Sequence, residues 1–171
     1  IHFAVMDLEG NMLIDSFVKP MSKRRISADA QYINGITMKQ LKGAPLFEDI
    51  VSEFIPIANS KKLLVYNADF HARMFDQTYY NEGVTGEPIT LNCLDVKDHY
   101  VKFSGISNAA LPGRRNTGIG DCLATLAVIQ KMAKAEMEEI PVSPLEAKKK
   151  GVPIIRLIGW ILAIVGSLIF G

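Results

Sequence analysis

Residues Leu63, Leu64, Val65 and Tyr66 form an unbroken apolar run. Such a run marks a strand covered on both faces, which needs packing partners above and below it. A helical stretch follows over 69–80, ended by Gly83, and a helical spacing of Phe47, Ile50, Val51 and Phe54 precedes it. Those four side chains are expected to face the core. The chain opens differently. Ile1, Phe3 and Val5 alternate with His2, Ala4 and Met6, a turn-rich stretch covers 7–11, and a second strand runs over 12–18. These are the signals of a β-hairpin. Ser27 and Thr37 are placed to cap short helices. A further strand is expected over 89–94, a short helix up to Phe103, a loop over 104–120 and a last helix over 120–136. A hairpin followed by alternating helices and strands predicts an α/β fold with a mixed sheet.

A chain of 171 residues with 49% hydrophobic and 22% charged residues has the material for one domain with a sizeable core. The net charge of +1 by itself predicts no nucleic-acid partner, and basic pairs such as Lys61-Lys62 read as solvated loop tips. The two cysteines, Cys93 and Cys122, fit a reducing compartment and read as small core residues. After residue 137 the composition changes. Residues 138–151 carry prolines and Lys148-Lys149-Lys150, and read as a linker. Residues 152–171 then hold a single charge, Arg156. A helix of that length spans about 30 Å, the thickness of a bilayer core. The segment is therefore expected to be a C-terminal transmembrane helix, with the domain over 1–137 on the cytoplasmic side of a membrane. A helix packed on the sheet is the competing expectation.

Two stretches point to chemistry. One is Leu64-Val65-Tyr66-Asn67-Ala68-Asp69-Phe70-His71, and the other is Asn116-Thr117-Gly118-Ile119-Gly120-Asp121-Cys122-Leu123. Ile33-Asn34-Gly35-Ile36-Thr37 and Cys93-Leu94-Asp95 are two more, in the same order along the chain. Together they resemble the motifs of the DnaQ/RNase T family of 3′–5′ exonucleases, whose patterns include Asn-x-x-Phe-Asp and His-Arg-x-x-x-Asp. His71 stands at the position of the family aspartate, Asn116 at that of the general-base histidine, and Asp121 at the last carboxylate.

The resemblance implies an RNase H-like mixed sheet flanked by helices. It also implies hydrolysis of phosphodiester bonds at single-stranded DNA or RNA ends by two divalent metal ions, magnesium or manganese. On the same footing Asp121 and Asn116 hold the catalytic positions, Asp121 and His71 the metal positions, and Asn34, Asn67 and Phe70 contact the substrate. His71 has three readings: a ligand for a softer metal, the mark of a dead site, or an error in the sequence. Asp7 and Glu9 match an Asp-x-Glu pattern, but they sit in the hairpin turn. The family's motif-bearing central strand is expected upstream of Ile1, outside the chain as given. The stretch before Asn116 is shorter than the family's, so the wall of the cleft is expected to be incomplete. The alternative function is an inactive relative that binds nucleic acid or a protein partner at the membrane.

Overall fold

The computed structural model describes residues 1–21, 26–86, 89–113, 116–139 and 162–163. The opening hairpin forms as its alternation predicts. Strand β1 (His2–Met6) pairs antiparallel with β2 (Met12–Phe17), with a register shift between Val5 and Met6. The turn between them is held by Asp7. Its backbone N–H donates to Asn11 O at 3.0 Å, and its carboxylate accepts from the Asn11 backbone and side-chain N–H groups, both at 2.8 Å. Slight burial pushes the Asp7 carboxyl up. The Asn11 hydrogen bonds and the backbone N–H groups of Glu9 and Gly10 outweigh it and hold the group below its usual range.

Two short helices follow. Helix α1 (Ala28–Asn34) is capped by Ser27, whose hydroxyl accepts from Ala30 N–H at 3.1 Å. Helix α2 (Met38–Leu41) opens with a capping box between Thr37 and Gln40. Helix α3 (Phe47–Ser60) buries Phe47, Ile50, Val51 and Phe54, the four residues its spacing singles out, and also Ala58. The apolar run becomes β3 (Lys62–Val65), followed by α4 (Ala68–Asn81). Strand β4 (Cys93–Asp95) leads directly into α5 (Val96–Ser104), and α6 (Gly118–Glu139) closes the series. Strand β5 (Leu162–Ala163) comes from the C-terminal segment.

The strands do not join into the expected RNase H-like mixed sheet. The antiparallel pair β1–β2 is one sheet, and β4, β3 and β5 form a second, all-parallel sheet. The reason lies between β1 and β3. There β5 pairs with β3, in the register Lys62 with Leu162 and Leu63 with Ala163, and also lies against β1. The two sheets nevertheless share both halves of the core. Phe3 and Val5 of β1 join Leu63 and Val65 of β3 on the side covered by α3 and α4. Ala4 and Met6 join Leu64 and Tyr66 on the side covered by α5 and α6. The two-sided burial read from residues 63–66 is thus real.

The expected transmembrane helix over 152–171 is overturned by the same strand. Leu162 and Ala163, in the middle of that segment, are extended and hydrogen-bonded to β3. Among the described residues no helix is long and apolar enough to cross a membrane. The expected membrane anchor, and the cytoplasmic placement argued from it, therefore have no support. An all-round apolar run suits a strand inside a doubly covered sheet as well as it suits a helix in lipid, and periodicity does not separate the two. The remaining residues of 152–171, and 140–151 of the linker, lie outside the described residues.

Candidate functional site

The amino ends of α4, α5 and α6 surround a cavity of about 310 Å³. Three residues from the first turn of α4 and its entry line it: Asn67, Phe70 and His71. Lys97 comes from the first turn of α5, and Asp121 and Thr125 come from α6. Tyr66 and the loop residues Asn108, Ala109, Ala110 and Leu111 complete the lining.

Asp95 sets the geometry between α4 and α5. Its carboxylate accepts from Asn67 N–H at 3.1 Å, Ala68 N–H at 2.8 Å and Lys97 N–H at 2.7 Å. One side chain thereby caps both helices and ties the exit of β3 to the exit of β4. Asn67 adopts the left-handed conformation, with φ 69° and ψ 63°, which asparagine tolerates better than most residues. This turn places Phe70 and His71 side by side, their rings edge to face at 5.3 Å.

Asp121 is buried, with 7% of its surface exposed. It sits in the first turn of α6, where the helix dipole favours a carboxylate. The helix starts against β1 because Gly118 has no side chain. A Cβ there would lie 2.8 Å from Ala4 Cβ and 3.2 Å from the His2 ring. Gly118 N–H donates to His2 Nδ1 at 3.1 Å, which leaves the hydrogen on Nε2 to donate to Asp15 Oδ1 at 2.7 Å. His2 is therefore a buried clamp between the hairpin and α6.

The opposite wall is a loop without regular structure, and Tyr66 holds it. The Tyr66 hydroxyl donates to Ala109 O at 2.8 Å. Burial comes first, and the nearby Tyr100 and Asp95 add to it, in pushing that hydroxyl's pKa up. Residues 108–111 thus line the cavity on the side where the wall is expected to be incomplete.

The structure sorts the residues singled out from the sequence. Asn67, Phe70, His71 and Asp121 line one cavity. Asn34 and Asn116 are not among its lining residues. Asn34 Oδ1 accepts from Ile36 N–H at 2.8 Å and so shapes the turn after α1. Asn116 takes φ 54° just before α6, a backbone conformation that accounts for an asparagine there. Asp7 and Glu9 stay in the hairpin turn, away from the lining. Both cysteines are buried or half-buried. Burial first, then the neighbouring carboxylate of Asp95, pushes Cys93 up to about 11, and burial with Asp121 and Asp15 pushes Cys122 up to about 12. Both are thiols rather than thiolates at neutral pH.

The chain is similar to an uncharacterized exonuclease, CP81, of Escherichia phage 186. The two are 23% identical over 159 residues, covering 78% of this chain and 79% of the relative. No family model matches the chain, and no solved structure does. Against the two divalent ions that the exonuclease resemblance implies, the donors fall short. Asp121 is the one carboxylate among the described residues that line the cavity. No group of three or more His, Cys, Asp or Glu side chains among the described residues could hold a metal. A set of carboxylates bridging two hard cations is therefore not assembled from these residues.

Lys97, Tyr66, Thr125 and the 108–111 wall are site residues that sequence reasoning missed. Only the direct passage from Cys93-Leu94-Asp95 into a helix hinted at Lys97, since it puts that lysine two residues beyond a strand exit.

Proposed function

We propose that this chain is an exonuclease-like domain, of the DnaQ/RNase T class that its motifs resemble, and that its cavity takes the ends of single-stranded DNA or RNA. The observation that carries this reading is convergence. Asn67, Phe70 and His71 come from one motif and Asp121 from another, more than a helix away in sequence, and all four line the same cavity. In this reading Phe70 offers a ring edge and Asn67 an amide to the terminal nucleotide, and Asp121 and His71 face its phosphodiester. The phage relative's name supports nuclease chemistry in general terms. Among the described residues the cavity's donors do not make up a two-metal set.

A second reading, capture of the end without hydrolysis, is favoured by one observation: among the described residues a single carboxylate, Asp121, lines the cavity. The experiment incubates the full chain with labelled single strands and with duplexes, in magnesium and in manganese, and follows both binding and mononucleotide release. Preferential, salt-sensitive binding of single-strand ends is the expected result. Release that disappears in Asp121→Asn would assign hydrolysis, and end binding without release would assign capture alone. Equal, weak binding to duplex and single strand would overturn both.

A further inference from the structure

Lys97 is the only lysine or arginine among the described residues that line the cavity, and the resemblance assigns it no part. Its position is costly for the helix. Lys97 sits in the first turn of α5, where the dipole disfavours a cation, while Asp95 and Asp98 already supply the acidic groups that turn prefers. Among the described residues Lys97 makes no ion pair. Its backbone is nonetheless fixed tightly, because its N–H donates to the same Asp95 carboxylate that holds Asn67 and Ala68. The root of the lysine stem is thus set at a fixed place relative to the opening of α4. A residue that breaks a local rule on a rigid anchor beside a cavity is expected at a site rather than on a solvated face.

From this we infer that the Lys97 ammonium takes a phosphate of the nucleic-acid strand held in the cavity, and so is a further binding residue of that site. The inference rests on the proposed reading of the cavity as a site for strand ends. The size is consistent: about 310 Å³ lies at the small end of ligand sites, room for one nucleotide unit rather than a length of strand. The charge points the same way: among the described lining residues, Lys97 is the lysine or arginine that a phosphate brought into the cavity would meet.

The test measures binding of a fluorescent single-stranded oligonucleotide to the full chain by anisotropy, over a series of salt concentrations. Four proteins are compared: wild type, Lys97→Met, Lys97→Arg and Lys102→Met. Lys102 is an exposed residue of the same helix that does not line the cavity. Lys97→Met is expected to bind about three- to tenfold more weakly at low salt, and to lose about 0.7 from the slope of log affinity against log salt, the value of one phosphate contact to a single strand. Lys97→Arg keeps the slope, and Lys102→Met behaves as wild type. Thermal unfolding of each variant reports whether the fold is intact. Should wild type not bind at all, the proposed function itself falls and this inference with it. Should wild type bind and Lys97→Met keep its slope, this inference alone falls. Equal losses in Lys97→Met and Lys102→Met would also overturn it, by showing only diffuse charge.

Discussion

At the scale of single residues, the cavity depends on a carboxylate that does not line it. Asp95 accepts three backbone N–H groups from two helix openings, at 2.7–3.1 Å. Removing a capping carboxylate costs about 0.5–2 kcal/mol for one helix, and here two are capped together. Asp95→Ala is therefore expected to lower stability by about 2–3 kcal/mol, measured as the shift in the urea midpoint at constant slope. A loss below about 0.5 kcal/mol would mean that water replaces the carboxylate without cost. Asp95→Asn keeps the shape and weakens the charge, and is expected to fall between. Cys93-Leu94-Asp95 was visible in the sequence as a strand exit. That its last residue reaches back across 28 positions to Asn67 was not, because a side-chain hydrogen bond at that separation leaves no periodic trace.

At the scale of elements, the decisive contact is the seat of α6 on β1. Gly118 meets Ala4 where a Cβ would approach to 2.8 Å, closer than two carbons pack. The same backbone unit donates to the His2 ring, so the helix has no freedom to slide outward without losing that bond. Gly118→Ala is expected to destabilise the protein by about 1–3 kcal/mol, as overpacking of a filled interface does. The additional change Ala4→Gly removes the partner methyl, so the double variant is expected to be more stable than the sum of the two single losses predicts. Chemical denaturation of the three variants measures that coupling, and strict additivity would show that the clash is relieved elsewhere. Sequence reading placed the start of this helix at Gly120 and had no reason to value Gly118. The requirement comes from a strand over a hundred residues away.

At the scale of the whole molecule, one aromatic cluster ties the hairpin to the helices. Phe3 of β1 meets Phe54 of α3 at 5.2 Å between ring centres, and Phe54 meets Phe75 of α4 at 5.6 Å. Phe47 adds edge contacts to both Phe3 and Phe75. All four rings are buried, with Phe54 at 0% exposure. Because β1 and β3 lie in separate sheets, contacts of this kind, rather than strand-to-strand hydrogen bonds between β1 and β3, join the two. Phe54→Ala is expected to cost about 3–5 kcal/mol, a large part of the stability of a domain this size. Circular dichroism during thermal unfolding checks it. If the hairpin and the helices then melt in two separate steps, this cluster is the link between them. A loss below about 1 kcal/mol would show that it is not.

The sequence by itself determined what is written in short-range pattern. The hairpin came from alternation, the core face of α3 from 3.6-residue spacing, and the caps of α1 and α2 from Ser27 and Thr37. The two-sided burial of β3 came from its apolar run, and with it the α/β class. These need only the local geometry of strands and helices. Tertiary structure decided everything that depends on which element meets which. It set β5 beside β3 where a membrane helix was expected, and it kept the antiparallel and parallel strands in separate sheets. It drew Lys97, Tyr66 and residues 108–111 around the cavity, and it left Asn34 outside. The physical reason is the same in each case. Apolar surface and backbone hydrogen-bonding groups state that they must be satisfied, but not by which distant partner, and only the packed chain makes that choice.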